Sequence, residues 1–453
     1  MTAPQPSPYT PGTVADHDFG LPGRASQGEA INERLSYVST FQKFNGRIRV
    51  DVGPRGVGKT SLLRAAQHAA EQQGFATVFV TAGDDVPFLE VLSAEFTELS
   101  HRWQDTARAQ IAAAAKNLTI AVGPLSLKTA GPVAVAAARR GASRALQTLV
   151  RAATKEAQND GAVGLAIFVD EVQAADADGL KALAYAWQHM QSEDADLPAT
   201  TFAAGLSHSP DVIRSAVSFA ERFQYKHLRN LDDGAAAAAL SGPANRLGVT
   251  WTPEAATRAL TFGRNYPYFI QLIGDETWRA AGNPAAGTVL TTEHVQRAEE
   301  EFASTQRDFF RGRWNDASDA EMRMLSAMAL LGETDIRRRD IAAALNVRTE
   351  SLSFVRSSLL DKGLIEDTSY GRLSFTAPGF AEYIRVEVLG RDADLVPGEE
   401  PDEDSPLDRI LAATQSIGPS PSNSGPAIEP TPPPAARDPQ VDPRGTNDNE
   451  RGD

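Results

Sequence analysis

The stretch that most constrains this fold is a glycine-rich loop near the N-terminus. The residues "GPRGVGKT", from Gly53 to Thr60, match the pattern G-x-x-x-x-G-K-[ST]. Glycines let successive backbone N–H groups point inward at phosphate oxygens, and the helix that follows adds the positive end of its dipole. The alternating "RIRVDV" before the loop predicts a strand, and "SLLRAAQHAAEQQG" after it predicts a helix that ends at Gly74. An accidental glycine-rich turn would lack the flanking strand and helix, so we predict a loop that binds a nucleoside triphosphate.

The polar residues of the loop have separate tasks in this chemistry. The Lys59 ammonium reaches the β- and γ-phosphates, and the Thr60 hydroxyl is a ligand of Mg²⁺. We therefore expect ATP and Mg²⁺ as the bound species. The predicted nucleotide contacts of the loop are Gly53, Pro54, Arg55, Gly56, Val57, Gly58, Lys59, Thr60 and Ser61.

A second strand that ends in two acids is expected beside this loop. "GLAIFVDE" contains an apolar run from Leu165 to Val169, as expected for a parallel strand buried on both faces. Asp170 is predicted to hold Mg²⁺ and Glu171 to act as the general base that orients the attacking water. The alternative is that both acids only stabilise the N-terminus of the next helix.

A third strand is predicted in "ATTFAAGLSHSP", from Ala199 to Pro210. It ends in polar residues, of which Ser207 or His208 is a candidate for contact with the γ-phosphate. An ordinary transition from strand to loop explains the same residues.

Composition limits the other possibilities. The 453 residues contain no Cys, so a disulfide framework and a thiolate metal site are excluded, and the seven His residues show no metal-ligand spacing. No apolar run reaches membrane length, and we expect a cytoplasmic protein that does not bind membranes.

The net charge of −15 is unevenly distributed. Residues 391–453 hold 14 acidic and 5 basic residues together with 12 of the 28 prolines. Such a segment buries too little apolar surface to fold, so a disordered acidic tail is predicted there, and a disordered N-terminal arm over residues 1–24.

An insertion is expected around residues 95–160. Within it, "NLTIAVGPLSLKT" alternates apolar residues on both sides of Gly123-Pro124, which predicts a β-hairpin. The hairpin either engages DNA or a partner, or it is an edge extension that covers its own helices.

The order of these motifs resembles AAA+ ATPases of the origin-recognition type and their bacterial relatives, over residues 20–388. The resemblance also rests on "SFAERFQYKHLRNLDD" and "GRNYPYFIQLIGDETW". It implies that Arg222 completes the active site of a neighbouring subunit or reports nucleotide state, although a surface arginine is the alternative. It also implies that Pro267 packs near adenine. The chain departs from the family by placing Asn265 where a glycine is usual, and Arg264 is only a weak substitute for the missing lid arginine.

The last folded segment, residues 317–390, predicts a winged helix-turn-helix. "SDAEMRMLSAMALLG", "RRDIAAALN" and "TESLSFVRSSLLDKG" indicate three helices, and two strands follow about a Ser369-Tyr370-Gly371 turn. Its predicted DNA contacts are Arg337, Arg338, Arg339, Arg348, Arg356 and Arg372. The segment carries 9 basic and 11 acidic residues, however, and this balance favours a protein partner instead.

The predicted fold class is α/β: a P-loop NTPase with a parallel sheet, a helical lid and a C-terminal winged helix. The expected domains are a core over residues 25–232, a helical lid and linker over 233–316, and the winged helix. We expect an ATPase switch that couples nucleotide state to double-stranded DNA. The alternative is a signalling or scaffold ATPase whose nucleotide state controls self-association and whose winged helix binds an unidentified protein.

Overall fold

The structure of the chain is a computed structural model, and it describes residues 4–14, 20–83, 85–122, 132–217 and 222–390. Over this part of the chain, no helix is long and apolar enough to cross a membrane.

A five-stranded parallel sheet forms the centre of the first half of the chain. Its strands are β1 (Ile48–Val52), β2 (Ala76–Thr81), β3 (Leu165–Asp170), β4 (Ala199–Gly205) and β5 (Phe223–His227). Their order in the sheet is β2-β3-β4-β1-β5. Because β1 and β3 are neighbours of β4, the glycine-rich loop after β1 and the acids after β3 emerge at the same edge of the sheet.

Helices cover both faces of the sheet. They are α1 (Ala25–Phe41), α2 (Lys59–Gln72), α3 (Phe88–Ser100), α4 (Asp105–Val122), α5 (Pro132–Asn159), α6 (Ala177–Glu193) and α7 (Ser209–Ala216). Successive side chains of a strand point to opposite faces, so Phe168 joins the cluster of α1 and α2 while Ile167 and Val169 join the cluster of α3 to α6. The predicted α/β fold class is confirmed.

The β-hairpin predicted over "NLTIAVGPLSLKT" is wrong for residues 117–122, which form the end of α4, and residues 123–131 lie outside the described part. Ile111, Ala115 and Leu118 are all buried at helical spacing. This helical period runs on through the apparent alternation, and the alanine-rich sequence before it has high helix propensity.

Four helices follow the sheet as the predicted lid. They are α8 (Asp233–Arg246), α9 (Pro253–Gly263), α10 (Pro267–Ala280) and α11 (Thr292–Asn315), with a short parallel pair of β6 (Thr250–Trp251) and β7 (Val289–Leu290). Pro267 is the first residue of α10. A backbone N–H at this position has no partner inside the helix, so a proline there removes no helical hydrogen bond.

Residues 317–390, here called the C-terminal module, contain the three helices and two strands that the sequence predicts. They are α12 (Asp319–Leu331), α13 (Arg338–Ala344), α14 (Ser353–Asp361), β9 (Ile365–Ser369) and β10 (Arg372–Phe375). A strand absent from the prediction, β8 (Ile336–Arg337), completes an antiparallel sheet of order β8-β10-β9, and α15 (Phe380–Tyr383) follows. The description of this arrangement as a winged helix stays a prediction.

The lid and the C-terminal module share one hydrophobic cluster. Phe310 of α11 stacks on Phe380 of α15 at 5.3 Å between ring centroids, and Arg264 of the lid pairs with Glu382 at 2.7 Å. Because close-packed cores transmit displacement, the lid and the module are expected to move together.

The N-terminal segment differs from the expected disordered arm of residues 1–24. Residues 4–14, here called the N-terminal strap, lie along the lid, and Tyr9 is only 3 % exposed. Its hydroxyl donates to the Leu240 carbonyl and accepts from Trp251 Nε1 at 3.1 Å. Gln5 adds hydrogen bonds to the Leu247 carbonyl and from Trp278 Nε1. The low-complexity composition hides these anchors, because one buried aromatic side chain and a few hydrogen bonds are enough to hold the segment.

Candidate nucleotide site

The glycine-rich loop spans residues 53–58, between β1 and α2. Gly58 has φ +91° and precedes Lys59, the first residue of α2, so the helix starts where the sequence predicts. Gly53 has no room for a side chain, since a Cβ atom there would lie 2.5 Å from the Leu228 carbonyl oxygen. At one end the loop therefore packs against Leu228, the residue that follows β5, and at the other end it leads into α2.

A tyrosine of the lid supports this loop. Tyr266 donates its hydroxyl to the Arg55 carbonyl at 2.7 Å and is 1 % exposed. At Gly56 (φ +79°), a Cβ atom would lie 2.1 Å from that hydroxyl oxygen. Only glycine fits there, so the loop and the lid are shaped to one another.

An arginine ahead of α1 also holds the loop, and the sequence analysis missed it. Arg24 is 8 % exposed and donates to the carbonyl oxygens of Val57 at 2.9 Å and Arg229 at 2.7 Å. No local pattern marks it, because both partners are backbone groups that only the fold brings near.

Lys59 is held in the loop as the predicted phosphate contact requires. Its ammonium is buried and donates to the Pro54 carbonyl at 2.9 Å. Burial lowers the pKa of Lys59 to about 8, and the carboxylates of Glu171 and Asp170 oppose that shift. A phosphate beside the ammonium adds the charge partner that burial otherwise leaves missing.

The predicted metal ligands meet across β1, α2 and β3. Thr60 Oγ1 donates to Asp170 Oδ2 at 2.8 Å, and Asp170 is 4 % exposed. Burial raises the pKa of Asp170, while the hydrogen bond from Thr60 opposes the rise. A hydroxyl and a carboxylate are the hard oxygen donors that Mg²⁺ prefers, so these residues fit the ion.

Glu171 follows Asp170 in a left-handed conformation, with φ +50°. Such a backbone is costly for a residue with a side chain and is concentrated at functional sites. Its carboxylate lines the nucleotide cavity and accepts from Gln173 Nε2 at 2.5 Å.

A cavity of about 370 Å³ opens beside the loop. Its walls include Arg55 to Ser61, Glu171, Pro267 of the lid, and Pro8 to Val14 of the N-terminal strap apart from Tyr9. Gly53 and Pro54, at the start of the loop, are not on the cavity wall. The strap, which the sequence analysis left out of the site, forms one wall.

Ser207 and His208 are not on the wall of this cavity. Ser207 Oγ donates to Glu366 at 2.8 Å, and His208 Nε2 lies 2.9 Å from Asp361 Oδ1. Both partners belong to the C-terminal module, so the end of β4 contacts the module.

Arg222 also lies away from the cavity of its own chain, and donates to Gln191 Oε1 at 2.7 Å at the far end of α6. Residues 218–221 of the surrounding motif lie outside the described part. Arg264, the weak lid candidate, is paired with Glu382 and does not reach the cavity wall.

Three of the arginines predicted to contact DNA form ion pairs within the module. Arg356 pairs with Asp367, Arg372 pairs with Asp335, and Arg339 pairs with its neighbour Asp340 at 3.3 Å. Arg337, Arg339 and Arg348 are exposed. Two aromatic side chains are exposed on the same module, Phe354 at 85 % and Tyr370 at 105 %.

A parallel sheet, a glycine-rich loop around a buried lysine, and a strand ending in Asp-Glu define a P-loop NTPase. The model of the AAA ATPase domain family matches residues 20–198, and residues 307–384 match a domain of unknown function (DUF8462). Residues 20–198 therefore belong to the AAA ATPase domain family. No curated protein matches the chain.

Two solved structures show the same architecture. The ORC2 protein of Aeropyrum pernix, in ADPNP-ADP complexes, has 15 % identity and a TM-score of 0.50, with 90 % of this chain and 98 % of that chain covered. A Walker-type ATPase of Pyrococcus abyssi has 15 % identity and a TM-score of 0.51, with 81 % and 99 % covered. The fold is that of an AAA+ ATPase.

Proposed function

We propose that this ATPase binds Mg·ATP between the sheet and the lid, hydrolyses it, and uses the nucleotide state to set the position of the C-terminal module on DNA. The observation that carries the proposal is the meeting of Lys59, Thr60, Asp170 and Glu171 at one end of a cavity that the lid closes.

The chain's own groups would seat the triphosphate. Backbone N–H groups of the loop would donate to the phosphates, and Lys59 would exchange its bond to the Pro54 carbonyl for the β- and γ-phosphate oxygens. Ser61 and Pro267 line the same cavity, with Pro267 on the lid side toward the base.

Thr60 and Asp170 would hold Mg²⁺, since their oxygens are close and Asp170 is buried. The ion, when bound, neutralises charge that develops on the phosphate oxygens. The ionised Asp170 carboxylate acts only as a hydrogen-bond acceptor. It accepts from the Glu171 N–H at 3.0 Å, and this bond fixes its orientation.

Glu171 would orient the attacking water and accept its proton, because its carboxylate is on the cavity wall. Arg222 would act in the site of a neighbouring subunit, where an arginine stabilises charge in the transition state. Its position away from its own cavity supports that role.

The C-terminal module would meet DNA through exposed Arg337, Arg339 and Arg348, because arginines that neutralise phosphates supply most of the affinity in such contacts. A second candidate function is a signalling ATPase whose module binds protein. Exposed Phe354 and Tyr370 favour it, since exposed aromatic side chains are enriched at protein interfaces.

The test is steady-state ATP hydrolysis with and without duplex DNA. Lys59→Ala should abolish nucleotide binding, and Glu171→Gln should retain binding but stop turnover; full turnover by the glutamine variant would refute the role of Glu171. DNA stimulation, with an affinity that falls steeply as salt rises, supports the first function. ATP turnover that does not change with DNA, together with a DNA affinity that does not change with salt, rejects the first function in favour of a protein partner.

A further inference from the structure

Gln173 joins the acid after β3 to the end of β4. Its Nε2 donates to Glu171 Oε2 at 2.5 Å, and its Oε1 accepts from the Leu206 N–H at 2.9 Å. Ser209 donates to the same oxygen at 3.3 Å. One side chain therefore fixes both the candidate general base and residues 206–209, here called the β4 loop.

The packing leaves this glutamine little freedom. A Cβ atom at Gly205 would lie 2.7 Å from Gln173 Oε1 and 2.3 Å from Ser209 Oγ. The amide is thus seated against the backbone of β4, and the left-handed backbone of Glu171 aims that carboxylate toward it. An amide that donates to a carboxylate oxygen occupies that oxygen and keeps it from a water molecule.

The other side of the β4 loop is held by the C-terminal module. Ser207 Oγ donates to Glu366, and His208 Nε2 lies 2.9 Å from Asp361 Oδ1. His208 is 8 % exposed, so the β4-loop partner of this contact is buried. Burial raises the pKa of Glu366, and the hydrogen bond from Ser207 opposes the rise.

The module also touches the phosphate-binding loop. At Gly363, between Asp361 and Glu366, a Cβ atom would lie 2.8 Å from Arg55 Nε. The module shares its core with the lid, so a lid movement that accompanies nucleotide binding pulls on these contacts. The path from the module to Glu171 then consists of Glu366 and Asp361, the β4 loop, and Gln173.

We propose that Gln173 is a positioning residue that holds the Glu171 carboxylate away from the attacking water while the C-terminal module is docked on the β4 loop. Undocking of the module loosens the loop, releases Gln173 and frees Glu171, so the module controls hydrolysis from within the same chain. This inference rests on the role of Glu171 proposed above.

The test compares kcat and KM for ATP in full-length variants, with Glu171→Gln as the blank. Gln173→Ala should raise kcat about tenfold, the effect of losing one hydrogen bond to a charged group, while KM stays unchanged. The pair Asp361→Asn and Glu366→Gln should raise kcat similarly and add nothing in the Gln173→Ala background, because all act on one path.

Matched controls separate this effect from a general loss of structure. Gln110→Ala removes an exposed glutamine of α4, and Glu387→Gln neutralises an exposed carboxylate of the same module. Both should leave kcat unchanged. A fall or no change of kcat in Gln173→Ala, or an additive effect of the module pair, overturns the inference.

The outcomes also distinguish the inference from the function beneath it. Turnover at the blank level in the wild type and every variant refutes the proposed hydrolysis itself. Turnover that exceeds the blank but is the same in the wild type and in Gln173→Ala refutes only the inference.

A second readout does not depend on turnover. The chain has no native cysteine, so spin labels attach only to cysteines introduced at exposed Ala94 and Ser351. In Glu366→Gln the distance distribution between labels should change without nucleotide, and Glu387→Gln should match the wild type. An unchanged distribution in Glu366→Gln would mean that this carboxylate does not dock the module.

Discussion

Substitution of Tyr9 is the clearest test of the role of the N-terminal strap. Its ring is 3 % exposed and packs edge-to-face on Trp278 at 6.2 Å between centroids. A Cβ atom at Gly274 would lie 2.6 Å from the ring, so the lid leaves space for it only because residue 274 is glycine. Tyr9→Phe keeps this packing and removes only the hydroxyl.

The loss of stability can be worked out from these contacts. Without the hydroxyl, the Leu240 carbonyl and the Trp251 indole N–H lose a buried partner, which costs about 1–3 kcal/mol. Tyr9→Ala also loses the ring and should cost about 3–5 kcal/mol, as other large aromatic truncations do. Because the strap has few other buried side chains, the alanine variant should detach it.

Detachment should weaken nucleotide binding. Pro8 and residues 10–14 line the cavity, so their loss would expose one face of a bound base to water. If the strap covers roughly 50 Å² of apolar base surface, the loss is about 1.3 kcal/mol, or roughly tenfold in Kd. Tyr9→Phe should change the Kd much less than Tyr9→Ala, since a strap weakened by one hydroxyl still docks.

The assay is calorimetric titration with ADP together with thermal unfolding. Tyr370→Phe and Tyr370→Ala are the matched controls, because Tyr370 is fully exposed and lies on the C-terminal module. Both controls should match the wild type in Kd and Tm. An unaltered Kd in a Tyr9→Ala protein whose Tm has fallen would refute the assignment of the strap as a wall of the nucleotide cavity.

Two further predictions concern a neighbouring subunit and acid stability. Arg222→Ala should lower kcat by about 10³-fold with little change in nucleotide Kd. Mixing it with Lys59→Ala should restore some turnover, because each subunit lends what the other lacks, and no recovery would contradict an action in trans. Burial alone would raise the pKa of Glu321, but hydrogen bonds from Lys362 and Ser318 outweigh it and lower the pKa to about 2. Since the folded pKa lies below the unfolded one, this carboxylate contributes stability above about pH 4.5 that is lost as the pH falls toward 2. Glu321→Gln should therefore cost about 2 kcal/mol at pH 7, where the carboxylate is fully ionised, and flatten the fall of stability with acid; an unaltered acid profile would contradict this account.

The sequence predicted the parts of the nucleotide site that depend on local chemistry. The spacing from Gly53 to Thr60 specifies a loop and a helix start, and the apolar run before Asp170 specifies a buried strand. Each of these signals needs only a few consecutive residues. For the same reason the sequence predicted α12, α13, α14, β9 and β10 from apolar periodicity and turn residues.

Local pattern failed where two periods overlapped or where the deciding contact was distant. Residues 117–122 alternate like a strand, but the helical stripe of α4 that ends at Leu118 packs against the core and decides their structure. The short strand β8 forms because β10 supplies its partner, since a two-residue strand has no signal of its own.

The sequence by itself determined the candidate groups for phosphate and metal, because the glycine, lysine and carboxylate pattern lies in consecutive residues. Only the tertiary structure decided what surrounds those groups. Tyr9, Arg24 and Tyr266 act through backbone carbonyls far along the chain, and Ser207 meets Glu366 because the lid and the module share one core. A backbone carbonyl has no residue type, so a partner that binds one leaves no mark in the sequence.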